Sequence, residues 1–202
     1  MLDVRRPILE TRNTKHGTQN TEHETPNTKQ NNLNIMTIQE LDNLPVEQLK
    51  DLLFTCCGST RWVKQMIATK PFRSLNDVLL KAESSWHSTT EKDWLEAFSR
   101  HPKIGDLESL EKKFISTKAF AGSEQASVNS ASKKILKQLS EGNVLYENKF
   151  GFIFIVCATG KSAAELVELL NERINNERDK ELRTAAAEQF SITKLRLQKL
   201  IA

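Results

Sequence analysis

Residues 150–157, FGFIFIVC, form the stretch that decides the fold class of this chain. Its β-branched and aromatic side chains are those that are enriched in strands. No second stretch of comparable composition occurs in the sequence, so a strand here would have no partner for a ladder. We therefore expect a buried extended segment or a helix core at this place rather than a sheet. Backbone amides near Gly151 and Phe154 could then face a ligand, because buried N–H groups need hydrogen-bond partners.

Helical patterns surround this segment on both sides. The predicted helices are one capped by Thr37 with Glu40, one opened by Pro45, then Thr60 to Lys70, Ser74 to Trp86, Thr90 to Arg100 and roughly Asp106 to Phe114. A further helix is predicted from Gly122, and its inward residues are Val128, Ala131, Ile135 and Leu139. Another is predicted from Ala163, and its inward residues are Leu166, Val167, Leu170 and Ile174. The last helix is at the C-terminal end, and its inward residues are Leu182, Ala186, Phe190, Leu197 and Leu200. The sequence thus predicts an all-α fold, a single compact bundle of about eight to ten helices.

The composition changes near Met36. Residues 1–35 are rich in Asn, Thr, Lys and Gln and poor in apolar residues. Such a segment cannot bury enough surface to offset the entropy that ordering would cost. We expect a disordered polar tail over 1–35, with no role for His16 or His23, and a helical domain over 36–202. Met36 is a plausible alternative translation start.

The overall composition excludes several classes of protein. The chain is 38% hydrophobic and 27% charged, with a net charge of +3 and basic residues interleaved with acidic ones. A nucleic-acid reader would concentrate its basic residues on one face. No apolar run is long enough to span a bilayer, and no signal peptide is visible. Cys56, Cys57 and Cys157 are an odd set with an adjacent pair, which predicts reduced thiols, a cytoplasmic location and no zinc site.

The motif HPKIGD at residues 101–106 presents the first candidate for chemistry. Pro102 disfavours helical backbone at the preceding residue, so His101 is expected to end its helix. An imidazole placed there is oriented by its surroundings, and its proton moves near neutral pH. A solvated loop histidine without a role is the alternative reading of the same motif.

Two further candidates come from helical spacing. The apolar stripe of the helix that follows Gly122 leads back by one turn to Glu124, with Gln125 beside it. This carboxylate is either turned toward a cleft or simply stabilised by the helix dipole. Arg196 lies about 100° from the stripe of the last helix, where a guanidinium could reach a pocket or remain on the surface.

Four motifs occur in a recognisable order: HPKIGD at 101–106, SEQA at 123–126, YENKFGF at 146–152 running on to Cys157 and Ala158, and KLRL at 194–197. Together they resemble the OHCU decarboxylase family, which acts on 2-oxo-4-hydroxy-4-carboxy-5-ureidoimidazoline, a late intermediate of urate breakdown. The resemblance extends over roughly Ile38 to Ala202. It implies an all-helical enzyme that needs neither metal nor other cofactor, releases CO2, leaves (S)-allantoin and usually forms a homodimer.

The resemblance also implies roles for individual residues. His101 and Glu124 match the catalytic pair, and Pro102 matches the proline beside the substrate. The other residues implied to bind substrate are Ser123, Gln125, Phe154, Ile155, Val156, Cys157, Ala158 and Arg196. One departure is visible, because the family often has serine where this chain has Ala121; Ser123 could replace that hydroxyl. The chain ends Leu200-Ile201-Ala202 and lacks the peroxisomal tripeptide that animal members often carry.

These residue types fit a decarboxylation. Loss of CO2 leaves an electron pair that the substrate ring can delocalise, so the protein must supply position, charge stabilisation and a proton to one face. We expect His101, paired with Glu124, to supply that proton; a neighbouring carboxylate would raise its pKa. The alternatives are a non-catalytic helical interaction protein, or a related decarboxylase or hydrolase that acts on another ureido acid.

Overall fold

Eight α-helices make up the regular structure of the described part of the chain. The computed structural model describes residues 35–101 and 125–201, and the side chains of all of these except 125–132. The helices are α1 (Ile38–Asn43), α2 (Val46–Cys57), α3 (Thr60–Ala68), α4 (Leu75–His87), α5 (Glu91–Ser99), α6 (Gln125–Phe150), α7 (Ala163–Arg173) and α8 (Arg178–Leu200). The prediction of an all-α fold is confirmed. The predicted tail (residues 1–34 of it), the predicted helix from Asp106 to Phe114, and the side chains of Val128 and Ala131 lie outside these described residues.

Side-chain caps explain why the helices begin where they do. The predicted capping box at Thr37 is present, with the Glu40 carboxylate 2.7 Å from the Thr37 amide nitrogen. Ser162 and Glu165 form another at the start of α7. Pro45 occupies the capping position before α2 rather than its first turn. The box at Thr37 could be predicted because a capping box depends on residues only three positions apart.

A glycine in the left-handed backbone conformation makes the sharp turn between α2 and α3. Gly58 has φ of 79°, a conformation that residues with a Cβ rarely adopt. A Cβ at this position would also lie 3.0 Å from Cγ of Arg100. The turn therefore places the carboxyl end of α2 against the end of α5.

The stretch 150–157 contains no strand. α6 continues to Phe150, and residues 151–158 belong to neither a helix nor a strand. Phe154, Ile155 and Val156 are buried, as expected, while Phe150 belongs to a helix. The Phe152 ring packs 5.4 Å, centroid to centroid, from that of Phe98 on α5. This contact brings the non-helical segment 151–158 to the end of α5.

Helix α8 is the central element of the fold and contacts α2, α4, α5 and α6. The five apolar residues predicted to face inward on it, Leu182, Ala186, Phe190, Leu197 and Leu200, are all buried. The indole N–H of Trp86 on α4 also donates to the Ala186 carbonyl, at 3.1 Å.

The two ends of the described region meet. The Met36 amide donates to the Leu200 carbonyl at 2.9 Å, and Met36 forms a parallel bridge with Ile201. In the part of the chain that the structure describes, no helix has the length and apolarity that crossing a membrane requires.

Candidate active site

His101 lies just beyond α5 and is held from two directions. Its backbone amide donates to the Phe98 carbonyl at 3.1 Å, which continues the turn past the last helical residue. Its imidazole Nε2 lies 2.6 Å from Oε1 of Gln189 on α8. The side chain is half-buried rather than a freely solvated loop histidine.

Gln189 connects this histidine to the carboxyl end of α2. The glutamine is fully buried, and its amide nitrogen donates to the Cys57 carbonyl at 3.3 Å and to the Thr193 hydroxyl oxygen at 3.4 Å. Thr193 in turn donates its hydroxyl proton to the main-chain carbonyl of Gln189 at 3.0 Å. The amide oxygen and the amide nitrogen of the Gln189 side chain thus both have hydrogen-bond partners within the protein.

Arg196 contacts the same end of α2. Its Nη1 donates to the carbonyls of Thr55 and Cys56, at 3.2 and 3.1 Å. The last carbonyls of a helix have no partner within it, so Arg196 and Gln189 supply donors that α2 lacks. The two residues are seven apart, which is about two helical turns, so they project from one face of α8. Arg196 is therefore at the α2–α8 junction and near the Gln189 partner of His101.

The segment predicted to contact substrate runs beside this junction. Phe154, Ile155 and Val156 are buried, while Cys157 and Ala158 are half-buried. The Cys157 amide donates to the Glu188 carboxylate at 2.6 Å, which ties the segment to the α8 residue next to Gln189. Lys161 donates to the Cys157 carbonyl at 2.7 Å.

Hydrogen bonds are unevenly distributed along the backbone of residues 154–158. Ile155 and Cys157 use backbone groups on protein partners, whereas within residues 35–101 and 125–201 no hydrogen bond engages the backbone of Phe154 or Val156. Among the described residues of this segment, Phe154 and Val156 are therefore the ones whose backbone N–H and carbonyl groups are both open to a further hydrogen-bond partner.

A buried ion pair supports the segment from behind. Arg173 donates to Glu181 from Nε at 2.8 Å and from Nη2 at 2.5 Å, to the Ile155 carbonyl at 2.9 Å, and lies 4.7 Å from the centroid of the Phe154 ring. The Tyr146 hydroxyl donates to the same Glu181 carboxylate. Burial and this hydrogen bond raise the pKa of Tyr146 well above its usual value, so the phenol remains a donor.

The two cysteines near the site are not nucleophiles. Burial raises the pKa of the Cys56 thiol to about 11 and that of Cys57 to about 12. A thiolate is required for nucleophilic attack, and at neutral pH neither residue supplies one. The role of this pair is packing at the end of α2.

The structure places only part of the predicted site. His101 contacts α8 at Gln189, the segment from Phe154 to Ala158 contacts it at Glu188, and Arg196 lies about two helical turns beyond Gln189 on the same helix. Pro102, Ser123 and Glu124 lie outside the described residues, as does the side chain of Gln125, which begins α6. Among the residues that are described, no group of three or more His, Cys, Asp or Glu side chains is arranged to hold a metal ion.

Sequence reasoning missed the residues that orient the site. Gln189 and Thr193 lie on the buried stripe of α8, in line with Ala186 and Leu197. The same criterion that singled out Glu124, a polar residue on an apolar stripe, would have found them. Arg173 gave no comparable signal, because its partners Glu181 and Ile155 become neighbours only in the folded chain.

Known proteins are similar to this chain over most of its length. The family model for OHCU decarboxylase matches residues 42–198. The uric acid degradation bifunctional protein TTL of Arabidopsis thaliana is 39% identical over 147 residues, which are 73% of this chain and 45% of that protein. The chain thus spans less than half the length of this relative. The 2-oxo-4-hydroxy-4-carboxy-5-ureidoimidazoline decarboxylase of Halalkalicoccus jeotgali is 25% identical over 166 residues, which are 82% of this chain and 92% of that protein.

A solved structure agrees with these relatives. A crystal structure of OHCU decarboxylase in the presence of (S)-allantoin is 39% identical, with a TM-score of 0.60, and the match covers 74% of this chain and 96% of that one. Both the sequence and the helical fold are therefore similar to those of the same group of proteins. The chain belongs to the OHCU decarboxylase family.

Proposed function

We propose that this protein is a cofactor-free decarboxylase that converts 2-oxo-4-hydroxy-4-carboxy-5-ureidoimidazoline to (S)-allantoin and CO2 in urate catabolism. The observation that carries the proposal is that His101 is bound by Gln189 of α8, the same helix that carries Arg196 and that binds the segment from Phe154 to Ala158 through Glu188. The names of the family and of its relatives supply the substrate.

The chemistry assigns each group a task. The bond from the quaternary ring carbon to the carboxylate breaks, its electron pair is delocalised into the ring, and CO2 leaves. The same carbon then takes a proton on one face, which makes the product a single enantiomer. We assign that proton to His101 and the positioning of the substrate hydroxyl and carboxylate to His101 with Glu124.

Binding is assigned to groups around the histidine. The backbone groups of Phe154 and Val156 have no hydrogen-bond partner within residues 35–101 and 125–201, so we assign them to the polar edge of a flat ring. Arg196 is assigned to an anionic group of the substrate, since guanidinium is well matched to carboxylate. Pro102, Ser123 and Gln125 complete the proposed contacts.

The setting of the enzyme is part of the same proposal. Three free cysteines agree with a reducing compartment, and we propose a cytoplasmic location. We also propose a homodimer and a disordered tail over residues 1–35. Light scattering of the purified protein tests the dimer, and limited proteolysis tests the tail.

The test follows the product by circular dichroism. Uricase and hydroxyisourate hydrolase generate fresh substrate in the presence of this protein, of His101→Ala, or of His87→Ala as a control histidine, which is exposed at the end of α4. Wild type and His87→Ala are expected to accumulate (S)-allantoin rapidly. Loss of acid catalysis should slow His101→Ala by about 10²- to 10⁴-fold.

Two outcomes would contradict the proposal. A slow racemic product with wild type would be uncatalysed decay and would remove the assigned activity. Near-wild-type turnover by His101→Ala would leave the activity in place but remove the histidine from the chemistry.

A further inference from the structure

We propose that Glu188 is a positioning residue that aims the main-chain carbonyl of Val156 at the substrate. It acts through the Cys157 N–H, which it binds, while Arg173 fixes the Val156 N–H in the same way through the Ile155 carbonyl. The identity of the substrate rests on the function proposed above.

The two peptide groups that flank Val156 are each held by a charged residue. In the first, the Ile155 carbonyl accepts a hydrogen bond from Nη1 of Arg173 at 2.9 Å. In the second, the Cys157 N–H donates to Oε2 of Glu188 at 2.6 Å. Hydrogen bonds to ionised groups are roughly twice as strong as those between neutral groups. Both peptide planes are therefore firmly fixed.

Peptide geometry then sets the direction of the remaining polar groups. Both peptide bonds of Val156 are trans. The C=O and N–H of a planar trans peptide point in opposite directions. The Val156 carbonyl therefore points away from the Glu188 carboxylate, and the Val156 N–H points away from the Arg173 guanidinium. These directions hold whatever φ and ψ the segment adopts.

Val156 thus offers one donor and one acceptor at fixed positions. The residue is buried, and within residues 35–101 and 125–201 neither its N–H nor its carbonyl has a hydrogen-bond partner. Buried backbone groups are normally paired, which favours a ligand that supplies both partners. Ring amide and ureido groups do so, because they carry a carbonyl oxygen that accepts and N–H hydrogens that donate.

The place of Glu188 on α8 suits it to this task. It precedes Gln189, whose side chain binds His101 at 2.6 Å, so consecutive residues of one helix hold the Val156 segment and the histidine. Glu188 is half-buried, so a replacement of similar length leaves no large cavity in the core. Its contribution to binding can therefore be separated from its contribution to folding.

Pairwise isotope labels make the four backbone groups visible by NMR. The dipeptide Ile-Val occurs once in the sequence, at 155–156, and Val-Cys occurs once, at 156–157. Carbonyl-¹³C isoleucine with ¹⁵N-valine therefore gives one HNCO cross-peak, which reports the Ile155 carbonyl and the Val156 N–H. Carbonyl-¹³C valine with ¹⁵N-cysteine gives one that reports the Val156 carbonyl and the Cys157 N–H.

The first measurement is a titration of the wild-type protein with (S)-allantoin, the product of the proposed reaction. We expect the Val156 carbonyl carbon and the Val156 amide proton to move to lower field, because each gains a hydrogen-bond partner. This measurement requires neither turnover nor a substituted protein.

Substitutions at Glu188 test the cause. Glu188→Met keeps the length of the side chain but removes the acceptor, so the Cys157 amide proton should move to higher field. The response of the Val156 carbonyl carbon to (S)-allantoin should shrink in the same variant. Glu188→Gln retains an acceptor oxygen and should behave nearly as wild type. Glu168→Met makes the first change at an exposed position of α7 and should leave both signals unchanged.

Steady-state kinetics separate positioning from catalysis. A contact made equally to the substrate and to the transition state contributes to KM and not to kcat. Glu188→Met should therefore raise KM by about 3- to 10-fold, the effect of one hydrogen bond of ordinary strength, with little change in kcat. Glu188→Gln and Glu168→Met should stay near the wild-type KM.

Three outcomes would overturn the proposal. They are a Val156 carbonyl in wild type that does not respond to (S)-allantoin, a Cys157 amide proton that Glu188→Met leaves unchanged, and an equal rise in KM for Glu188→Met and Glu188→Gln. The first of these requires no variant to fold. The expected NMR shifts from a protein that does not decarboxylate would support the positioning by Glu188 and remove only the proposed reaction.

Discussion

Two buried polar clusters of the molecule, one around Arg173 and one around Gln189, differ in the charge that they hold. The Arg173 cluster, formed by Arg173, Glu181 and Tyr146, holds a complete ion pair whose side chains are 8% and 0% exposed. The Gln189 cluster, formed by Gln189, Thr193 and the Cys57 carbonyl, holds neutral groups and has half-buried His101 at its edge. The first fixes a stretch of backbone through the Ile155 carbonyl, while the second fixes one ring.

The difference shows what each cluster permits. A buried charge is stable only beside its partner, so the Arg173 cluster is intolerant of any change in protonation. The Gln189 cluster consists of neutral amide, hydroxyl and carbonyl groups, so no buried charge within it depends on a partner.

Breaking the ion pair should have the largest effect on stability. Arg173→Met leaves the Glu181 carboxylate buried without its cation and should lower the free energy of unfolding by about 3–5 kcal/mol. Urea denaturation measures this loss. The Ile155 carbonyl loses its donor as well, so the variant should also bind substrate less well.

Matched variants show whether the cost comes from the unpaired charge. Arg173→Met combined with Glu181→Leu removes both charges and should recover much of the stability. Arg178→Ala breaks the half-exposed pair with Glu91 and should cost only about 0–1 kcal/mol. A loss for Arg173→Met no larger than that for Arg178→Ala would show that the Arg173 cluster does not stabilise the fold.

Arg196→Lys should have an intermediate effect, on binding rather than on folding. Lysine can still donate to a carbonyl at the end of α2, but it cannot also present a guanidinium fork to a carboxylate. If Arg196 holds the substrate, KM should rise by about tenfold, which corresponds to ~1.4 kcal/mol. Steady-state kinetics measure this, with Arg183→Lys at an exposed position of α8 as the control. An unchanged KM would limit Arg196 to the α2–α8 junction.

Thiol labelling tests the burial of the cysteines at the end of α2, and it is the experiment with the smallest expected effect on the protein. Cys56 and Cys57, with pKa values raised to about 11 and about 12 by burial, should resist an alkylating reagent at pH 8, while half-buried Cys157 reacts. Mass spectrometry should find one label on the native protein and three after unfolding. The stability that these raised pKa values represent is present below about pH 9, the usual thiol value, and is lost as the pH rises toward 11–12. Rapid native labelling of Cys57 would mean that the α2–α8 junction opens readily.

The sequence predicted those parts of the molecule that depend on local pattern. Thr37 with Glu40 and the inward stripe of α8 were found because capping and helical period act over a few residues. The end of α5 before His101 was predicted because Pro102 disfavours helix at the residue before it. The partners of these residues were not found. Gln189 and His101 are 88 positions apart, and only tertiary packing brings them together.

The bridge between Met36 and Ile201 has a consequence for how this fold can be joined to other chains. Because the two ends of the described helical region are hydrogen-bonded neighbours, a short peptide could connect them and the chain could be opened at an exposed turn instead. The helical region could equally be inserted into a surface loop of a host protein, since entry and exit would require almost no separation. The arrangement therefore allows the helical region to be transferred into, or fused with, another protein as one unit.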